Sequence, residues 1–132
     1  MSKNAILCVD DEAIILDSLR EQLQNYFGGD FFYETAENAE EGLEIIEELA
    51  CDGVKILIIV SDWLMPGIKG DEFLIKVHQK FPGIVKVLLT GQANQDAIRR
   101  AENEADLFAV IHKPWNSEEL FNVIKSGLKK NE

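Results

Sequence analysis

Five polar residues carry the chemistry this chain can do: Asp10 and Asp11 side by side, then Asp62, Thr90 and Lys113. Three carboxylates brought together repel one another, and the cluster makes sense chiefly around a divalent cation, for which oxygen-only ligands with room for water favour Mg²⁺, with Mn²⁺ as a substitute. A lysine and a hydroxyl beside such a centre suit an incoming phosphoryl group, one by charge and the other by hydrogen bonding. Asp62 is then the natural nucleophile, its product an aspartyl phosphate. Singly, each residue has a duller reading. Asp10 or Asp11 can cap a helix, Thr90 can end a strand, and Lys113 can be a solvated charge.

What lifts the group above these readings is where its members fall. The apolar run Ile56 to Val60 stops on Ser61-Asp62 and breaks into Met65-Pro66-Gly67, as a buried strand does when it delivers a carboxylate to a sheet edge. Ala5 to Asp10 ends on acid in the same way, Val85 to Leu89 runs into Thr90-Gly91, and Leu107 to Ile111 runs into His112-Lys113-Pro114. Phe32 to Ala36 is the remaining strand. Between them lie five helical patterns: Glu12 to Phe27 through Leu16, Leu19, Leu23 and Tyr26; Ala39 to Ala50 through Leu43 and Ile46; Gly70 to Phe81 through Phe73, Leu74 and Val77; Asn94 to Ala105 through Ala97, Ile98 and Ala101; and a last one opened by Ser117 and carried by Leu120, Phe121, Ile124 and Leu128. Strands alternating with helices predict an α/β domain, a doubly wound five-stranded parallel sheet with helices on both faces, flavodoxin-like with strand order 2-1-3-4-5. In such a sheet four of the five strand ends put the reactive residues on one edge, where ligands bind.

Composition narrows the function. A length of 132 residues and 46% hydrophobic content suit a single domain over residues 1–132. With 13 Lys and Arg against 24 Asp and Glu the formal charge is −11, which opposes direct contact with nucleic acid. The first residues do not read as a signal peptide and no apolar run reaches membrane-spanning length, so a cytoplasmic protein without membrane contact is expected. Cys8 and Cys51 lack metal or redox spacing and are expected to be small core residues. His78 and His112 are expected at the surface or behind the site rather than as ligands.

Four motifs in order, Val9-Asp10-Asp11-Glu12, Ser61-Asp62-Trp63-Leu64-Met65-Pro66-Gly67, Leu88-Leu89-Thr90-Gly91 and Lys113-Pro114-Trp115, resemble those of the receiver domains of two-component response regulators. The resemblance spans nearly the whole chain. It implies that Asp62 accepts a phosphoryl group from a sensor histidine kinase or a histidine phosphotransfer protein. Asp11, Asp62 and the backbone carbonyl of Leu64 would hold Mg²⁺, with Asp10 acting through water, and Thr90 and Lys113 would be the hydroxyl and lysine that meet the phosphoryl group. It implies a cis Lys113-Pro114 bond, a phosphorylation-controlled module rather than a turnover enzyme, an output partner or effector region, and compatibility with a phosphorylation-dependent homodimer. Leu64 and Gln92 stand where the family tunes phosphate lifetime. One departure stands out: Val110 occupies the position, three before the lysine, where many receivers carry a switching aromatic, and a stiff β-branched residue cannot replace it. Phe108, taken to share its strand face, is the candidate substitute.

Competing readings fare worse. A flavin carrier would need a phosphate cradle where this chain has Asp10-Asp11-Glu12. A hydrolase of the haloacid dehalogenase type wants a second aspartate two residues after the nucleophile, where Leu64 stands. Dinucleotide and P-loop glycine patterns are missing. An exposed apolar stretch at Ala13-Ile14-Ile15-Leu16, with Trp115 flanking the same pocket, would suit docking of a phosphodonor protein.

Overall fold

The computed structural model describes residues 3–92 and 95–130. Five strands and five α-helices alternate: β1 (Lys3–Val9), α1 (Ala13–Phe27), β2 (Phe32–Ala36), α2 (Ala39–Cys51), β3 (Val54–Asp62), α3 (Gly70–Lys80), β4 (Val85–Thr90), α4 (Gln95–Glu104), β5 (Ala109–His112) and α5 (Ser117–Lys130). All neighbouring strands are parallel and their order is β2-β1-β3-β4-β5, the doubly wound sheet that the sequence predicts.

Strand alternation sorts the core into two layers. Ala5, Leu7, Val9, Ile59 and Leu88 face one side and pack with α2 and α3 through Ile46, Phe73, Leu74 and Val77. Ile6, Cys8, Val60, Val87, Leu89 and Ile111 face the other and meet Leu16, Leu19 and Leu23 of α1 and Leu120 and Ile124 of α5. Along β1 and β3 the register shifts between Ala5 and Ile6, whose partners are Ile56 and Ile58. Leu57 is therefore bypassed, and Leu57 and Ile58 both face α1 and α5.

Local chemistry fixes the ends. Asn38 caps α2 by accepting the Glu41 N–H at 2.8 Å, and Gly28 closes α1 at φ +66°. Ser117 is the first helical residue of α5, but the capping side chain is that of Asn116, whose Oδ1 accepts the Glu119 N–H at 2.6 Å. Asn94, where the sequence pattern starts the fourth helix, lies outside the described residues.

Three side-chain placements differ from expectation. Cys51 is exposed, because it is the last residue of α2 and points away from the stripe made by Ala39, Gly42 and Ile46. Tyr26 is also exposed, its ring tilted against that of Phe121 on the surface rather than extending the buried row of α1. Phe108 precedes β5 rather than belonging to it; its N–H donates to the Lys86 carbonyl at 2.8 Å and its ring packs in the α1/α5 layer, whereas Val110 packs in the α2/α3 layer. The two lie on opposite faces, because strand alternation does not extend to a residue outside the strand. Phe108 therefore does not stand in for an aromatic at Val110.

Candidate functional site

The site forms where β1, β3, β4 and β5 end together. Asp10 follows β1 and is fully buried; its backbone N–H donates to the Ala36 carbonyl at 3.1 Å, which anchors it between β1 and β2. Asp62 is the last residue of β3 and only 4% exposed, while Asp11 is exposed. Oxygen atoms of Asp10, Asp11 and Asp62 all lie within 4.8 Å of one another. Lys113, just beyond β5, reaches across with Nζ 2.9 Å from Asp10 Oδ2 and 3.2 Å from Asp62 Oδ1. The remaining oxygen of Asp10 accepts the Glu12 N–H at 2.8 Å.

Thr90 ends β4, one residue past Leu89, which is the register partner of Asp62. It is buried, its hydroxyl accepts the Gln92 N–H at 3.0 Å, and its carbonyl accepts the Lys113 N–H at 2.8 Å. The Lys113-Pro114 bond is cis, as the resemblance implies. Leu64 is about half exposed in the loop beside Asp62, and His112 is exposed on the strand end next to Lys113.

The loop after Asp62 is held at both ends. The Trp63 N–H donates to the Leu89 carbonyl at 3.0 Å, and the Trp63 carbonyl accepts the Gly70 N–H at 2.8 Å. Glycine at position 70 is a steric requirement: a Cβ there would lie 2.2 Å from the Asp62 carbonyl oxygen and 2.8 Å from the Trp63 Cα. Gly67, at φ +79°, supplies the turn between them.

Two carboxylates and one ammonium leave the buried part of the site one negative charge in excess. Burial first, and then the charge of Asp10, push Asp62 up to about 6, against the pull of Lys113. Burial would depress the Lys113 ammonium, but its hydrogen bond and ion pair with Asp10, followed by those with Asp62, outweigh it and hold the group above its usual value. Asp62 is therefore ionised at neutral pH yet raised in energy, as suits a carboxylate that gains from a cation or a new bond. The donor set fits a hard divalent ion: three carboxylates, no thiolate or imidazole, and one exposed member open to water.

The structure brings Asp10, Asp11, Asp62 and Lys113 together with Thr90 at the neighbouring strand end, and it shows two buried charges that the sequence reading does not single out. Asp71, in the first turn of α3, accepts from the Trp63 indole; it falls one turn before Leu74 and Ile75, on the helix's apolar face, which was the available signal. Lys86 lies inside the apolar run of β4 and is 1% exposed.

The doubly wound parallel sheet with an acidic, lysine-bearing edge defines a flavodoxin-like class of domain, and comparison with known proteins gives the family. A profile of the response regulator receiver domain matches residues 6–125, and the chain belongs to that family. It is 29% identical over 124 residues to the hydrogenase transcriptional regulatory protein HoxA of Cupriavidus necator, an alignment covering 94% of this chain and 24% of HoxA. The chain thus spans about a quarter of that regulator. Among solved structures, a CheY-like response regulator receiver domain protein of Methanospirillum hungatei JF-1 superposes with a TM-score of 0.86 at 34% identity, over 98% of this chain and 97% of the other. The beryllofluoride-activated NtrC4 receiver domain dimer superposes with a TM-score of 0.82 at 26% identity, over 97% of this chain and 98% of the other. Among the described residues no helix is long and apolar enough to cross a membrane.

Proposed function

We propose that this receiver domain, read as residues 1–132, accepts a phosphoryl group on Asp62 from the phosphohistidine of a sensor kinase or a phosphotransfer protein, and that phosphorylation switches its binding to an output partner. The single observation that carries the reading is the Asp10–Lys113–Asp62 triad, two buried carboxylates sharing one ammonium beside an exposed third carboxylate. In the transfer, an oxygen of Asp62 bonds to phosphorus as the phosphorus–nitrogen bond of the donor breaks. Lys113, already oriented by two carboxylates, supplies positive charge to the transferred group, and the Thr90 hydroxyl at the next strand end donates a hydrogen bond to one of its oxygens.

Mg²⁺ is the cofactor this donor set suits, with Asp11, Asp62 and the carbonyl of Leu64 as direct ligands and Mn²⁺ as a replacement. Asp10 serves through water, since one of its oxygens is engaged by the Glu12 N–H and the other by Lys113. When bound, the ion neutralises charge on the phosphoryl oxygens. The protein acts as a phosphoacceptor that assists its own loading and slow release, in the cytoplasm, and the NtrC4 neighbour's dimeric form supports a phosphorylation-dependent homodimer.

The test is intact-mass analysis after incubation with acetyl phosphate, with and without Mg²⁺. A Mg²⁺-dependent phosphoryl adduct in the native chain, absent from Asp62→Asn, is the expected result; an adduct that survives the substitution would move the acceptor elsewhere.

The donor docks on the rim of the pocket. Ile14 is 75% exposed, and a groove of about 400 Å³ beside it is lined by Ile15, Ser18, Gln22, Lys113, Pro114 and Trp115. Trp115 is held there by its indole N–H donating to Gln22 Oε1 at 3.1 Å. Ile14→Glu should slow loading from a kinase about tenfold or more while leaving loading from acetyl phosphate unchanged, as expected for loss of a buried interface anchor. Equal slowing of both would sink the docking assignment.

A further inference from the structure

Asp71 is a buried carboxylate, 7% exposed, that the phosphoacceptor chemistry does not use. Its two oxygens face different parts of the molecule. Oδ1 accepts the Trp63 indole N–H at 3.1 Å, and Oδ2 pairs with an Arg100 guanidinium nitrogen at 3.4 Å. Trp63 directly follows Asp62, and Arg100 belongs to α4. One side chain at the start of α3 thus joins the residue beside the acceptor to a helix whose connection to β4 begins at Gly91, just after Thr90.

The seat of α4 makes that link consequential. Its buried residues are Ala97, Ile98 and Ala101, two of them alanines, so it gains little from apolar contact. Arg100 provides polar attachment by reaching Asp71, Glu72 and Glu104. Two of these carboxylates lie in the first turn of α3, so they hold α4 against that helix. Trp63 is meanwhile tied by its backbone to Leu89, the residue before Thr90. Any shift of the Asp62–Thr90 edge is therefore felt at the indole, at Asp71 and then at Arg100, through contacts that do not involve position 110.

We infer that Asp71 is a positioning residue that couples the state of Asp62 to the seating of α4, through the Trp63 indole on one oxygen and Arg100 on the other. This rests on Asp62 being the phosphoacceptor. Such a chain counts as coupling only if both ends bias the same element, which makes the claim open to direct measurement.

The experiment follows hydrogen exchange of the α4 amides, with beryllofluoride and Mg²⁺ as the probe of the loaded state. In the native chain beryllofluoride should change α4 exchange by about fivefold or more, the lower end of ordinary coupling strengths. In Asp71→Asn and in Trp63→Phe, which keeps the ring but loses the donor, that response should collapse, while intact mass still shows a phosphoryl adduct from acetyl phosphate. An undiminished response in both variants overturns the inference, as does a native α4 that does not respond while the adduct forms. Failure of the native chain to form any adduct overturns the phosphoacceptor reading itself and is told apart by the mass alone. Arg100→Ala, at an exposed position that the fold tolerates, supplies a readout that needs no phosphoryl group. In a Trp115→Phe background it should shift the emission of Trp63, because Asp71 loses its second partner; unchanged emission would mean that the two ends are independent and the inference is wrong.

Discussion

Two lysines pack against this sheet, Lys86 buried and Lys113 partly so, and they are held in opposite ways. Lys113, at the carboxyl end of β5, sits between two carboxylates and has its ammonium held above the ordinary value. Lys86, the second residue of β4, has Nζ 2.7 Å from the Ile84 carbonyl, 3.4 Å from that of Pro82 and 2.9 Å from His78 Nδ1, with no carboxylate in contact among the described residues. Burial drags it down to about 8, with Asp106 opposing that shift and Lys130 adding to it. Carbonyl dipoles satisfy the donors of Lys86 without matching its charge, whereas the pocket of Lys113 holds more negative charge than that lysine can cancel. Lys86 closes the turn between α3 and β4; Lys113 leaves a site wanting a cation.

The largest stability effect should come from removing the shared ammonium. Lys113→Met strands Asp10 and Asp62 as buried carboxylates and should cost about 3 kcal/mol in urea denaturation at neutral pH with chelator present. Adding Asp62→Asn should recover much of that loss, because the two residues act as one network. A cost below about 0.5 kcal/mol, the size of an ordinary surface substitution, would show that the triad is not the charged centre described here.

Asp62→Asn alone should act with the opposite sign. The folded carboxyl, at about 6, lies above its ordinary value of 3.8. The folded state thus binds this proton more tightly than the unfolded chain does, so the stability Asp62 contributes is complete below 3.8 and is lost as pH rises through about 6. At neutral pH in chelator the substitution should therefore stabilise by on the order of 2 kcal/mol. It should also flatten the pH 4 to 6 portion of the stability curve measured by thermal or urea unfolding. A variant less stable than the native chain would show that Asp62 is already fully compensated by Lys113.

The same contrast explains what could be read without coordinates. Asp10, Asp62, Thr90 and Lys113 were legible because each ends an apolar run, and a doubly wound sheet sends all such ends to one edge. Even the half-exposed Leu64 and exposed Ile14 follow from a loop beside that edge and an apolar stretch too long for one helix face. Lys86 was illegible for the complementary reason: a charge inside a strand covered on both faces breaks the pattern, and its partners are backbone carbonyls that carry no sequence signature. Asp71 escaped because an acidic residue in a helix's first turn is ordinary, which outweighs the weak signal of its place on the apolar face, and its contact with an indole eight residues away is visible only in the fold. Phe108 failed by one residue, since β5 starts at Ala109 and alternation cannot be counted across a strand boundary.

The smallest effect should come from Lys86→Met, and it decides whether the two lysines differ in kind. At neutral pH the substitution removes a desolvated charge but also leaves the Ile84 carbonyl without its ammonium donor, and these two terms oppose each other, so the net change should stay within about 1 kcal/mol. The pH dependence separates them. With a folded value of about 8 against an ordinary 10.5, the unfolded chain holds this proton more tightly, so Lys86 makes the native protein gain stability as pH rises from about 8 to 10.5. Cys8 works against that rise: burial pushes its thiol up to about 12 from 9.0, and the unfolded chain is favoured once its own thiol ionises. The quantity to measure is therefore the difference in urea midpoint between native and Lys86→Met chains at pH 7.5 and 9.5 under reducing conditions, in which the Cys8 contribution cancels. The native chain should gain on the variant over that interval. No relative gain, combined with a loss near 3 kcal/mol at pH 7.5, would mean that Lys86 is paired as tightly as Lys113 and that the carbonyls around it compensate a full charge.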